Sequence, residues 1–151
     1  ILTESAAIVN YLATAHGAAK GLAPPTDHRL RARYDHWSFF SMMELDANTL
    51  YVIRKHEDLH AIYGEAPAAL QAARDGYARQ ARAAEKRLTG PYVLGEQFSG
   101  ADILFTTCLT GAIRRNIELP AKLREYLART TARPAYQRAL AANQRKAQQK
   151  Q

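Results

Sequence analysis

The sequence has one cysteine, no long apolar run, and little glycine or proline. A single Cys among 151 residues excludes an internal disulfide framework and is typical of a reducing, cytoplasmic compartment. No apolar run approaches the roughly 18 residues of a membrane span. The opening stretch ILTESAAIV also lacks the basic region of a signal peptide. Sparse Gly (8) and Pro (6), together with abundant Ala, favour a helical protein.

The net charge of +7 does not by itself indicate a nucleic-acid partner. Basic residues are spread along the predicted helix faces, and they do not alternate with aromatic residues as in surfaces that stack bases. We therefore expect neither a nucleic-acid nor a membrane partner. The final stretch NQRKAQQKQ, residues 143–151, concentrates several cations and is predicted to be a basic tail.

Apolar residues at three- and four-residue spacing predict an all-α bundle of five to six helices. The first helix is predicted from about Glu4 to His16, with Thr3 as its N-cap and Gly17 as its stop. The stretch GAAKGLAPPTD has two Gly, two adjacent Pro and no apolar periodicity, which predicts a linker. The linker separates this short helix from a larger helical body.

The body is predicted to open with a long helix from about Asp27 to Ile62, with Thr26 as its N-cap. Its length favours a bend or break near Asp46–Asn48. A second helix is predicted over about Ala68–Leu88, and shorter ones follow Ser99, Pro120 and Arg133.

The stretch FSGAD carries the signature of a carefully capped helix. Ser99 stands at the N-cap and Asp102 at the third helical position, which predicts a reciprocal capping box. Phe98 and Ile103 occupy the two positions of a hydrophobic staple. The helix that follows is apolar or small nearly all round, so we expect it to be central and buried. A self-contained cap satisfies the amides of its first turn, which are costly to bury.

Four stretches together resemble cytosolic glutathione transferases of bacteria. LTESAAIVNYL is similar to the end of their thioredoxin-like domain, and ARYDHWSFFSMMELDANTLYVI to the long helix facing their active site. PYVLGEQFSGADILFTTCL and ARPAYQRAL resemble the capping box and the late helix of their helical domain. The resemblance implies the last helix of a truncated thioredoxin-like domain in residues 1–17, a linker in 18–26, and the transferase helical domain in 27–142.

The same resemblance implies a longer parent that forms a homodimer. The catalytic Ser, Cys or Tyr that activates the glutathione thiol would lie in an upstream thioredoxin-like domain. No catalytic residue is therefore expected in this chain, and the chain alone is expected to be inactive. Glutathione would act as a co-substrate, and no cofactor is expected.

Glu4 and Ser5 are the candidate glutathione-binding residues. They stand at a helix N-terminus, where free amides and the helix dipole favour an anion. The hydroxyl and amide of Ser5 would hold the γ-glutamyl carboxylate, and Glu4 would attract the γ-glutamyl ammonium. The alternative is an ordinary first helical turn capped by Thr3.

Candidates for the electrophile site lie on the long helix, at Trp37, Phe40, Met43 and Asp46. A stripe of aromatic residues and Met at three-residue steps forms a core more often than a ligand cleft. Beta-class relatives have a His at the position comparable with Asp46, so a simple kink residue is an equal interpretation there. Asn48 and Tyr51 are weaker candidates for the same cleft.

The remaining reactive residues favour structural roles. Cys108 lies within the apolar helix without a neighbouring His and is interpreted as a small buried hydrophobe. His56 and His60, with Glu57 between them, match the letters of a zincin motif, but no third ligand is apparent. We therefore expect no metal site.

The function that the resemblance implies is conjugation of glutathione to a hydrophobic electrophile, as in detoxification. Two alternatives stay open. Related helical domains also mediate assembly without catalysis in translation factors and synthetase complexes. The parent enzyme would alternatively reduce disulfides, or isomerise or dehalogenate a substrate, with glutathione.

Overall fold

The computed structural model describes the backbone of residues 1–148 and the side chains of residues 1–145. The α-helices are α1 (Ser5–Gly17), α2 (His28–Phe39), α3 (Tyr51–Ile53), α4 (His60–Tyr63), α5 (Pro67–Arg87), α6 (Gly100–Arg114), α7 (Ala121–Thr131) and α8 (Pro134–Gln148). Within the described part, β structure is limited to an isolated bridge between Tyr92 and Gly95. The predicted all-α class is confirmed. No described helix has the length and apolarity needed to cross a bilayer.

Helices α2 and α3 form one rod over residues 28–58, because π-helical turns extend them at Phe40–Leu50 and Arg54–Asp58. The backbone stays helical near Asp46–Asn48, in π-helical turns, so the predicted break is absent there and the predicted bend stays a prediction. Hydroxyl groups support the wide turns: Ser41 Oγ donates to the Trp37 carbonyl at 2.7 Å and Thr49 Oγ1 to the Leu45 carbonyl at 2.6 Å. The rod breaks later, at Leu59.

Two helix starts differ from the predictions by one residue. The N-cap of α2 is Asp27 rather than Thr26, because its carboxylate accepts from the amides of Arg29 and Leu30 at 3.0 and 2.9 Å. One carboxylate therefore satisfies two first-turn amides. The N-cap of α1 is Glu4 rather than Thr3, and no side chain caps this helix.

Helix α6 lies at the centre of the bundle. Its buried residues pack against the rod, including α2, and against α7. The aromatic rings of the core lie against it. The centroid of the Phe105 ring lies 5.0 Å from that of Trp37 and 5.2 Å from that of Tyr126. Such tilted contacts between buried rings contribute beyond their burial alone.

Both halves of the predicted capping box are present at the start of α6. Oδ2 of Asp102 accepts from the Ser99 amide at 2.8 Å and from the Ser99 hydroxyl at 2.9 Å. Oδ1 accepts from the Val93 amide at 2.9 Å and from the Tyr126 hydroxyl at 2.8 Å. Burial raises the pKa of Asp102, and these hydrogen bonds oppose the effect. These contacts support a structural role for Asp102, which stays a prediction.

The two residues at the staple positions have different neighbours. The Phe98 ring packs edge-on against Tyr92, at 5.4 Å between centroids, and the Arg133 guanidinium lies 3.8 Å above it. Ile103 is partly exposed and lines a cavity described below. The hydrophobic staple therefore stays a prediction.

The segment between α1 and α2 is ordered by contacts with the loop before α6. Gln97 Nε2 donates to the Gly21 carbonyl at 2.9 Å, and the Gly100 amide donates to the Leu22 carbonyl at 3.2 Å. The predicted linker is thus attached to the body at Gly21 and Leu22. At the other end, α8 continues to Gln148, so residues 143–148 of the predicted tail are helical. Residues 149–151 lie outside the described part.

Candidate functional site

A cavity of about 620 Å³ opens between the first turn of α1, the rod, α6 and α8. Its apolar wall includes Val9, Met42, Leu50, Ile103 and Leu104. Its volume is in the range of small-molecule sites, which are mostly apolar and carry a few polar groups that orient the ligand.

The rod and α6 run alongside each other in the same direction. About halfway along each element the Cys108 thiol donates to the Ser41 carbonyl at 3.3 Å, and near their ends Arg115 pairs with Asp58 at 2.6 Å. The cavity lies along the contact between the rod and α6, so the axial rise of α6 gives distances along the cavity. From Ile103 to Arg114 the helix rises by about 16 Å at 1.5 Å per residue.

Helix α1 closes the cavity at the N-terminal end of α6. A Cβ placed on Gly100 would lie 3.1 Å from Cγ1 of Val9, so the two helices touch there. Ser5 precedes Val9 by one helical turn and lines the same cavity.

The first turn of α1 has the features of an anion site. Its N-cap residue, Glu4, provides no side-chain cap, so no capping side chain takes up the first amides of the helix. Glu4 itself has φ 68° and ψ 119°, a conformation that non-glycine residues rarely adopt. Backbone strain of this kind, on the order of 1–3 kcal/mol, concentrates at ligand-binding sites. Thr3 is therefore not the cap of this helix, and the assignment of Glu4 and Ser5 to glutathione stays a prediction.

Asp46 lines the cavity on the side of the rod. Partial burial raises the pKa of its carboxyl, and the positive charges of Arg115 and Arg54 oppose the effect. Ser5 and Asp46 are therefore brought to one cavity, although they lie 41 positions apart in the sequence.

The other three electrophile-site candidates do not line this cavity. Trp37 and Phe40 belong to the hydrophobic core, at 3% and 6% exposure, and Met43 is 53% exposed on the surface. In their place Met42 lines the cavity, together with Tyr51, which is one of the two weaker candidates. Three-residue counting fails after Phe40 because π-helical turns are wider than α-helical ones, which changes the direction in which later side chains point.

Three arginines at the cavity have no counterpart among the predicted site residues. Arg54 comes from the rod, and Arg114 and Arg115 come from the end of α6. Each element alone has the sequence of an ordinary helix with a charged end. The sequence pattern therefore does not predict that these arginines line one cavity.

Cys108 is buried, and burial raises the pKa of its thiol far above the usual value. A thiol held protonated is a poor nucleophile, which confirms the structural interpretation. His56 and His60 each use Nδ1 for a backbone contact, with the carbonyls of Gly64 at 2.9 Å and Glu57 at 3.0 Å. Among the described residues, no three His, Cys, Asp or Glu side chains are grouped as metal ligands.

Residues 36–134 match the family described as glutathione S-transferase, C-terminal domain. This range begins in α2 and ends at the first residue of α8, so it covers the rod from residue 36 onward, together with α5, α6 and α7. No curated protein matches the chain significantly.

Solved structures of transferases have the same fold. A glutathione transferase from Methylococcus capsulatus str. Bath is 30% identical, with a TM-score of 0.76, over 93% of this chain and 67% of that one. BphK, a bacterial GST solved as a ternary complex, is 29% identical with a TM-score of 0.77, over 93% and 68%. A theta-class transferase from Xanthomonas axonopodis pv. citri, solved with glutathione bound, is 28% identical with a TM-score of 0.69, over 91% and 72%.

The chain thus spans roughly two thirds of the length of these relatives. The structural matches cover 91% to 93% of this chain, which is more than the family range covers. This protein belongs to the glutathione S-transferase family and contains its all-α C-terminal domain.

Proposed function

We propose that this chain is the helical part of an enzyme that conjugates glutathione to an electrophile. The observation that carries the proposal is that Ser5 lines the same cavity as a wall of apolar side chains. Ser5 lies at the start of a helix that has no side-chain cap and whose N-cap residue is strained. A ligand anchored at Ser5 would present its reactive end to whatever the apolar wall holds. Holding two reactants together in this way supplies much of the catalysis in bimolecular transfer.

The γ-glutamyl end of glutathione fits the chemistry of Glu4 and Ser5. Its carboxylate would accept hydrogen bonds from the Ser5 hydroxyl and from the free first-turn amides, with the helix dipole in support. Its ammonium would be attracted to the Glu4 carboxylate, which is exposed. This division of roles matches the two opposite charges of an α-amino acid group.

A thioredoxin-like domain would supply the group that lowers the thiol pKa. The surface of α1 and the preceding residues supports such a neighbour, because large apolar side chains are exposed there: Ile1, Leu2, Ile8, Tyr11 and Leu12. Clustered exposed apolar residues mark a surface that another domain covers. In this proposal the chain alone is inactive, and the parent is a cytoplasmic homodimer.

The proposal is tested by titrating the ¹⁵N-labelled chain with glutathione and following amide resonances by NMR. Glutathione should shift the amides of the first α1 turn, with weak affinity because the other domain supplies most contacts. Cysteinylglycine lacks the γ-glutamyl group and should leave those amides unchanged. Calorimetry that gave a micromolar constant for this chain would contradict the expected weak binding.

Two variants of α1 separate the predicted contacts. Ser5→Ala should abolish the glutathione-dependent shifts, whereas Thr14→Ala, which removes an exposed hydroxyl elsewhere on α1, should retain them. Equal shifts with glutathione and cysteinylglycine, or none with either, would refute the proposed role of Ser5.

A further inference from the structure

We propose that Asn10 and Tyr34 are positioning residues, because the hydrogen bond between them sets where the first turn of α1 lies on the cavity. The Tyr34 hydroxyl donates to Oδ1 of Asn10 at 2.6 Å and so joins α1 to α2. Neither residue lines the cavity, so both would act through the position of Ser5. The consequence for glutathione rests on the proposed function, whereas the consequence for α1 does not.

The first residue of α6 is the point at which α1 meets the body. A Cβ placed on Gly100 would overlap the Tyr34 hydroxyl oxygen and lie 3.1 Å from Cγ1 of Val9. The Gly100 amide donates to the Leu22 carbonyl at 3.2 Å, in the segment that follows α1. Atoms of α1, α2 and that segment therefore meet at one glycine, and the start of α6 is the surface on which α1 is placed.

The bond between Asn10 and Tyr34 is the directional contact between α1 and the body. Among the hydrogen bonds of the described residues, it alone joins α1 to the helices that follow the linker. Apart from Asn10, the less exposed residues of α1 are small or aliphatic: Ala6, Val9, Ala13 and Gly17. Their apolar contacts are non-directional and would allow the helix to slide or rotate. A hydrogen bond depends on distance and angle, and its donor is fixed because Tyr34 is fully buried in the core.

Ser5 moves with α1 because it belongs to the same helix. It lies five residues before Asn10, which is about 7.5 Å along the helix axis at 1.5 Å per residue. Ser5 and Val9 both line the cavity. A change in the register of α1 would therefore move the Ser5 hydroxyl and the first-turn amides relative to the apolar wall. If α1 takes the binding position only part of the time, the apparent affinity for a ligand falls by that fraction.

The test compares Asn10→Leu with Asn10→Asp in the ¹⁵N-labelled chain. Leu has nearly the shape of Asn but lacks the acceptor, whereas Asp retains an oxygen that accepts from the Tyr34 hydroxyl. Residual dipolar couplings of the α1 amides, compared with those of α6, report the orientation of α1 without any ligand. Asn10→Leu should change or average the α1 couplings and leave the α6 couplings unchanged. Asn10→Asp should retain the couplings of the unaltered chain.

Titration with glutathione provides the second measurement. Asn10→Leu should weaken the affinity about threefold to tenfold, the loss expected for one hydrogen bond. At saturation, the shifts of the first α1 turn should approach those of the unaltered chain. Ser5→Ala, which removes a proposed contact, should lose these shifts at every concentration. Tyr34→Phe removes the donor and should reproduce both effects of Asn10→Leu, and combining these two changes should add little because they break the same bond.

Gln80→Leu is the matched control. Gln80 Nε2 donates to Oε2 of Glu44 at 2.8 Å, so this change also removes a partly buried bond between the side chains of two helices. Gln80 lies on α5, and neither partner of its bond lines the cavity. The change should therefore leave both the α1 couplings and the glutathione affinity unaltered.

A bond that only added stability would give a different result. Asn10→Leu would then lower the urea midpoint, while the α1 couplings and the glutathione affinity of the folded chain stayed as they were. That result would overturn the inference, as would an equal effect of Gln80→Leu or the same loss with Asn10→Asp. Absence of glutathione shifts in the unaltered chain would instead refute the proposed function, and the couplings would then decide the positioning of α1 by themselves.

Discussion

The Tyr126 hydroxyl donates to Oδ1 of Asp102 across 2.8 Å, and this bond ties α7 to the first turn of α6. Both residues are fully buried. The same carboxylate also receives the Val93 amide from the loop before α6. One side chain thus joins the cap of the central helix, a loop and a second helix, so the start of α6 is a structural centre of the bundle.

Replacing Asp102 should therefore impair folding before it impairs any activity. Asp102→Ala removes the acceptor of four buried hydrogen bonds and leaves the Tyr126 hydroxyl and the Val93 amide unsatisfied. We expect the free energy of unfolding to fall by about 3–5 kcal/mol, measured by urea denaturation.

Asp27→Ala is the matched control for this variant. Asp27 also caps a helix through its carboxylate, but its two hydrogen bonds are exposed. Its replacement should lower the free energy of unfolding by about 1 kcal/mol. An Asp102→Ala chain with an unchanged urea midpoint would refute the structural role of this carboxylate.

The sequence was sufficient to predict the start of α6 because the signal is local. Ser99 and Asp102 are three residues apart, and their reciprocal bonding depends on no other part of the chain. The donors Val93 and Tyr126 were not predictable in the same way. They lie 9 and 24 residues from Asp102, and tertiary packing brings them to the carboxylate.

The candidate site was only partly predictable, for two physical reasons. Helical periodicity assumes α-helical turns, and the π-helical turns after Phe40 bring Met42 rather than Met43 to the cavity. The arginines at the cavity include Arg54 and Arg114, which come from two different elements. No spacing rule relates residues 60 positions apart.

Tyr34 should make stability depend on pH in alkaline solution. Its ring is fully buried, its hydroxyl donates to Asn10 at 2.6 Å, and burial raises its pKa from 10.0 to about 12. Between these values the unfolded chain loses the proton and the folded chain retains it. The free energy of unfolding should therefore be unaffected below pH 10 and then fall by about 1.4 kcal/mol per pH unit for this group.

Tyr34→Phe tests this expectation through denaturation at several pH values. The variant should be less stable at neutral pH, because the Asn10 hydrogen bond is lost, and its stability should fall less steeply between pH 10 and 12. Tyr11→Phe, which alters an exposed ring, should retain the full slope. Identical slopes for Tyr34→Phe and the unaltered chain would contradict the prediction.

Gly100→Ala should destabilise the protein even though Ala is the better helix former. A Cβ on Gly100 would overlap the Tyr34 hydroxyl oxygen and lie 3.1 Å from Cγ1 of Val9. Overpacking of this kind costs about 1–3 kcal/mol, which exceeds the gain of about 1 kcal/mol in helix propensity. Thermal and urea unfolding should both record the loss.

A double-mutant cycle with Tyr34→Phe identifies the source of that loss. Removing the hydroxyl leaves space for the new Cβ, so Gly100→Ala should be less damaging when combined with Tyr34→Phe. Strict additivity of the two changes would show that the hydroxyl is not the group being displaced.

Glu4→Gly should change stability and glutathione binding in opposite directions. Glycine adopts the φ of 68° without strain, so the first turn of α1 should gain about 1 kcal/mol in hydrogen-exchange protection. The same change removes the carboxylate proposed to attract the γ-glutamyl ammonium, so the NMR-detected affinity for glutathione should fall.

Glu4→Gln separates the two effects, because it keeps the strained backbone and loses only the charge. It should weaken glutathione binding to a similar degree without the added protection. If Glu4→Gly instead left protection unchanged, the strain at this position would be relieved by other means, and the argument linking it to ligand binding would fail.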